Sequence, residues 1–177
     1  MEAEKRGLLN LRSTPEAVVH YTDEKNVALF ARHGVYSLTE MKSRQEITME
    51  EYVKVIRIEA LASLDILKKQ IVPACISYSK ELAETGAVKK SIGVDAPAEV
   101  AKVKELTEMT AELIAKQEAL EAAVAGCPED ATACGMYDHE TVIPAMEAAR
   151  EVADALELKV SKKAWPFPTY AYMLFYV

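Results

Sequence analysis

Between Thr48 and Gly86 the chain carries no glycine and a single proline, and its apolar residues recur at spacings of three and four. Val53, Ile56, Ala60, Leu64, Leu67, Ile71, Ala74, Tyr78 and Leu82 fall on this one period. Such a period places them along one stripe of a helix and is incompatible with the twofold alternation of a strand. A run of this length commits the fold to helix packing. Thr48 and Glu51 have capping-box spacing and predict where the helix opens. Pro73 inside the run lacks an N–H and crowds the preceding turn, so it predicts a bend there.

Two more stripes follow. Val100, Val103, Leu106, Thr110, Leu113, Gln117, Leu120 and Val124 form one, closed by Gly126, and Val142, Met146, Ala149, Ala153, Leu156 and Val160 form the other. Each is too narrow to hold a helix stable alone, so the three predict an all-α fold: an antiparallel bundle of three long helices, one with a proline kink. Short helices precede it. Thr14 with Pro15, Thr22 or Asp23, and Ser37 with Glu40 mark their starts, and Gly34 follows one of their ends. The expected organisation is a single helical domain over 1–177. Short helices fill 1–47, the bundle 48–163, and an extended aromatic tail 164–177.

That tail, Ala164 to Val177, has no charged residue and carries Trp165, Phe167, Tyr170, Tyr172, Phe175 and Tyr176. Pro166 and Pro168 forbid a helix through its start. Trp165, Phe167 and Tyr170 are the expected anchors on the bundle. Beyond them both alternate faces are apolar, so Tyr172, Phe175 and Tyr176 are expected to face a partner.

A net charge of −7, with lysines and arginines scattered along the chain, argues against a nucleic-acid partner. No window reaches the roughly 20 unbroken apolar residues of a bilayer span, and no membrane role is expected. Cys75, Cys127 and Cys134 are odd in number, hold no Cys-x-x-Cys pair and follow no leader-like start, a pattern of a reducing, cytoplasmic setting.

Candidate chemistry is sparse. The residues three before His20, His33 and His139 are Ala17, Phe30 and Met136, so the Glu-x-x-His pairs of di-iron bundles are missing. Asp138, His139 and Glu140 are consecutive and splay to different faces, a weak zinc pattern even with two cysteines nearby. The Gly86–Ser91 stretch lacks the glycine that a phosphate loop needs before its Lys-Ser pair. No catalytic, cofactor-binding or metal residue is assigned. Glu50–Lys54 and Asp65–Lys69 have the spacing of surface ion pairs. Arg44, Glu46, Arg57 and Glu59 flank the junction of the short helices with the long one; they either tie that corner together or face a second domain.

Several of these blocks coincide with a known pattern. Ser43-Arg44-Gln45-Glu46-Ile47 running into Ile56-Arg57-Ile58-Glu59-Ala60, then Gln70-Ile71-Val72-Pro73-Ala74, then Trp165-Pro166-Phe167-Pro168-Thr169-Tyr170 resemble, in order and spacing, the C-terminal region of type III glutamine synthetases. One departure is visible: family tails follow Thr-Tyr with Gly-Asp-Leu-Leu-Phe, whereas Ala171, Tyr172, Met173 and Leu174 precede Phe175 here. The resemblance implies a longer ligase that joins ammonia to glutamate using ATP and divalent metal, with its catalytic motifs upstream of anything in this sequence. The chain then reads as an excised structural or assembly domain that is inactive alone. Its implied partners are the catalytic domain of the same enzyme and neighbouring subunits of a homo-oligomer. An independent helical interaction module of the same ancestry is the alternative.

Overall fold

The computed structural model describes residues 2–168 and 170–175. Every regular element among them is helical. In chain order these are α1 (Glu2–Lys5), α2 (Thr14–Val19), a single 3-10 turn (His20–Thr22), α3 (Glu24–Arg32), α4 (Leu38–Ile66), α5 (Val72–Ser91), α6 (Pro97–Ala125), α7 (Ala131–Tyr137), α8 (Ile143–Glu157) and α9 (Tyr170–Phe175). Widened π turns, Leu67–Ile71 and Asp138–Val142, join α4 to α5 and α7 to α8.

The helix starts are written locally. Ser13, one residue before the expected Thr14, caps α2: its hydroxyl accepts from the Glu16 amide while Glu16 accepts from the Ser13 N–H at 2.9 Å. Ser37 and Glu40 make the same reciprocal pair before α4, with the Ser37 amide 2.8 Å from the Glu40 carboxylate. Gly34, after α3, takes φ +64°, a left-handed conformation that a side chain would strain.

Two expected boundaries move. The long helix opens at Leu38, not Thr48, because no glycine or proline interrupts Leu38 to Val72 and the Ser37 cap has already nucleated it. Thr48 is an exposed mid-helix residue. Nor does the run stop at Gly86. It continues to Ser91, and Gly93 with φ +80° follows it. Gly86 is instead buried where α6 begins, since an added Cβ would lie 3.6 Å from that of Ala96 and 3.5 Å from that of Glu99.

Pro73 and Pro144 each stand two residues after a π turn. The Val72 N–H donates to the Leu67 carbonyl and the Ile143 N–H to that of Asp138, both i→i−5. Widening the turn ahead of a proline moves the ring away from the i−4 carbonyl it would otherwise strike. The irregularity expected at Pro73 takes the form of an extra residue in the turn before it.

Packing divides the chain into two compact units, Met1–Ala60 with Ala123–Pro144, and Leu61–Ala122 with Ala145–Val177. In the first, Met41, Met49, Ile56, Ala60, Cys134 and Val142 are buried, with Pro15 beside them. Gly135 lies on Met49: a Cβ there would come 2.4 Å from the Met49 sulfur and 3.6 Å from Pro15. Gly→Ala in an open helix gains up to about 1 kcal/mol. Here, with Met49 only 1% exposed, Gly135→Ala is instead expected to destabilise by about 1–2 kcal/mol in urea unfolding, through overpacking.

In the second unit one apolar cluster takes Leu67, Ile71 and Cys75 from the π turn and α5, Leu106 and Leu113 from α6, Ala149, Val152, Ala153 and Leu156 from α8, and then Val160 and Trp165. Buried Thr110 does not disturb it, because its hydroxyl donates to the Leu106 carbonyl at 2.6 Å. The tail was expected to be extended throughout. Past Pro168 it is not: Tyr170–Phe175 form α9, where no proline remains and Ala171, Met173 and Leu174 are good helix formers.

Candidate functional site

α4 buries one face and exposes another. Met41, Met49, Ile56 and Ala60 point into the first unit, while Arg44, Ile47, Val55 and Ile58 project to the opposite side at helical spacing. Ile47 is 59% exposed and Ile58 67%. This outward row carries three exposed apolar side chains, with Arg44 at one end and the exposed Glu51 at its middle. The Arg44 guanidinium stacks over the Tyr36 ring at 4.5 Å, and Phe30 and Tyr21 extend the aromatic group. Nearby, Gln45 holds α4 to the chain before it. Its amide donates to the Val18 carbonyl at 3.0 Å, and its oxygen accepts from the Thr22 hydroxyl at 2.9 Å.

The four charged residues singled out from the sequence do not converge. At 100° per residue Arg44 lies on the outward row, Glu46 and Arg57 on one flank of α4 and Glu59 on the other. Arg57 donates to the Val124 carbonyl at 3.1 Å, satisfying one of the last carbonyls of α6. Glu46 lines a polar groove with Lys42, Glu50, Glu129 and Asp130. Glu59 is exposed on α4, and its charge helps hold the Tyr52 phenol above its usual pKa, after burial and Asp138. Ile47, Val55 and Ile58 were missed. Their signal was an apolar row that the buried stripe of the same helix does not use.

In the tail, Trp165 is 8% exposed within the second unit's cluster, and Phe167 packs against that cluster. The Trp165 amide donates to the Ser161 carbonyl at 2.9 Å. Tyr172 has the Lys162 ammonium 5.6 Å from its ring centre and is half-exposed, while Phe175 is 80% exposed. Tyr176 and the side chain of Tyr170 lie outside the described residues.

Among the described residues, one buried polar group stands in the first unit. Asp138 is 4% exposed, with its carboxylate 3.9 Å from the Cys134 sulfur, and burial pushes its pKa up against the pull of Arg57. Cys134 is joined to Cys127, their Cα atoms 5.4 Å apart. The cysteine pattern points to a reducing setting; here the turn after α6 and the Asp130 cap of α7 bring Cys127 and Cys134 together. Their donor atoms and that of Asp138 lie within 4.8 Å of one another. With the sulfurs bonded to each other, only the carboxylate is left to offer a metal.

Among the described residues no three carboxylates converge, and many acids on the helix faces are paired with lysines. Glu50 pairs with Lys54 at 3.0 Å, Asp65 with Lys69, Glu121 with Lys68, and Glu99 with Lys89. Among the same residues no helix is long and apolar enough to cross a membrane.

Comparison with known proteins gives one consistent result. The profile of the glutamine synthetase C-terminal domain matches residues 1–90. Over 98% of the chain, the sequence is 33% identical to the type-3 glutamine synthetase of Dictyostelium discoideum. It is 32% identical to a glutamine synthetase of Butyrivibrio fibrisolvens and 31% identical to one of Bacteroides fragilis, again over 98% of the chain. The chain spans about a quarter (25%) of the length of these relatives. The matched region holds α4 with its capping box, its outward row and the first π turn, and on that ground the chain belongs to the glutamine synthetase C-terminal domain family.

Proposed function

We propose that this chain is the structural and assembly domain of an ATP-dependent glutamate–ammonia ligase, without catalytic residues of its own. It docks the outward row of α4 on the catalytic region of the same enzyme, in a homo-oligomer. The carrying observation is that row. Ile47, Val55 and Ile58 stand exposed on one face of α4 with Arg44 and Glu51, inside the segment that matches the family, and apolar side chains set among charges at helical spacing are what a partner surface buries. The exposed α9, with Tyr172 and Phe175, is a second surface for a neighbouring subunit.

The three long runs form an up-down-up bundle in this reading. Lys68, in the π turn before α5, with Glu121, and Lys89 of α5 with Glu99 support opposed directions for α5 and α6, and Lys159, just past α8, with Glu105 at 2.6 Å supports the same for α6 and α8.

The alternative, an independent helical interaction module, is separated from this reading by the genomic frame upstream of Glu2. Continuation into a catalytic region supports the first, and a stop codon supports the second. The isolated chain is expected neither to bind magnesium-ATP nor to make glutamine. Titration calorimetry checks this, and saturable micromolar binding would overturn it.

A further inference from the structure

We propose that Cys127 and Cys134 form a reversible thiol–disulfide clip, with Asp138 as the residue that hands a proton to the leaving sulfur. The two sulfurs differ in access: Cys127 is half-buried and Cys134 is buried in α7 at 3% exposure. An incoming thiolate therefore reaches Cys127. Asp138 lies one helical turn beyond Cys134, with its oxygen 3.9 Å from that sulfur. The groups facing this carboxyl are Arg57 and Tyr52 from α4 and Cys134 from α7, and burial favours its protonated form over the opposing charge of Arg57.

The reductant is a dithiol. Its thiolate attacks the Cys127 sulfur, a new S–S bond forms there, and the Cys127–Cys134 bond breaks. The electron pair leaves on Cys134, which takes the proton of the Asp138 carboxyl and leaves a carboxylate. The second thiol of the reductant then displaces Cys127, whose thiolate is protonated by water. The sum is one dithiol oxidised, one disulfide reduced and Asp138 reprotonated from solvent.

What the clip governs follows from its neighbours. Cys127 lies just past α6, whose Val124 carbonyl Arg57 holds, and Cys134 lies in α7 beside Gly135, which rests on Met49 and Pro15. Opening it frees the start of α7 from the end of α6 and loosens the first unit, while Cys75, buried in the second, takes no part.

The test is alkylation mass spectrometry of the whole 177-residue chain with dithiothreitol as the reductant. Before reduction only Cys75 is expected to label, and only after denaturation. Under native conditions dithiothreitol should free both other thiols and raise amide exchange across Ala131–Tyr137. The reduction rate, corrected for thiolate concentration, should fall as pH rises through the Asp138 titration. Asp138→Asn should slow it by about tenfold or more and flatten that profile. Circular dichroism checks the variant's fold, and the wild-type pH profile stands without it. Three free thiols in the unreduced protein, reduction only after global unfolding, or a wild-type profile that does not fall would overturn the proposal.

Discussion

Trp165→Ala is expected to lower the stability of the chain by about 3–5 kcal/mol, the range for removing a buried large aromatic side chain. The indole is 8% exposed and belongs to the same cluster as Leu106, Leu113, Leu156 and Val160. For a chain of this size the loss corresponds to a fall in melting temperature of roughly 6–20 °C. Removing everything from Tyr172 onward is the companion experiment. Its described side chains, Tyr172 to Phe175, are 46–80% exposed, so the melting temperature should move by a few degrees at most. Thermal melts of the two variants separate the anchored part of the tail from the part held ready for a partner. A large loss from the short truncation alone would place the whole tail in the core.

The second large effect is at Leu67, which opens the first π turn and sits 5% exposed in the cluster with Ile71 and Cys75. Leu67→Ala is expected to cost about 2–5 kcal/mol. Two residues on, Lys69 is exposed and pairs with Asp65 at the surface, and Lys69→Ala should change stability by well under 1 kcal/mol. Urea titrations of both read the difference directly. Equal small effects would mean that the buried face of this run has been assigned wrongly.

Much of each buried stripe was legible because its period runs over many turns: Ile56, Ala60, Leu64, Leu67, Ile71, Leu106, Leu113, Leu120, Ala149, Ala153 and Leu156 are all buried, whereas Val100 is 41% exposed and, past the π turn, Cys75 is buried in place of Ala74. The Ser37 cap was legible from Glu40 three residues on, while the same spacing of Ser13 and Glu16 was passed over for Thr14 beside Pro15. The same pattern at Thr48 misled, because a capping pair cannot start a helix that is already running. Prolines gave the location of irregular turns but not their form. Both Pro73 and Pro144 follow an i→i−5 turn, a local choice between bending and widening that spacing does not encode.

The candidate sites were less legible. Charged residues attract attention in a sequence, yet Arg57 serves the end of α6, and the outward apolar row shows only once the buried face of α4 is fixed. Cys127 and Cys134 carry no motif. Their approach depends on where α6 stops and Asp130 starts α7, which is a property of two helix ends and not of either cysteine's neighbours.

The central claim is that the outward row of α4 attaches this domain to the rest of a glutamine synthetase. Its most direct measurement is sedimentation of the chain mixed with the type-3 glutamine synthetase of Dictyostelium discoideum produced without the quarter that this chain matches, for wild type and for Ile58→Asp. The wild-type chain should form a complex, and Ile58→Asp, which keeps the buried face of α4 intact, should weaken it by about tenfold or more. Undiminished association of Ile58→Asp, or no association of the wild-type chain, would contradict it.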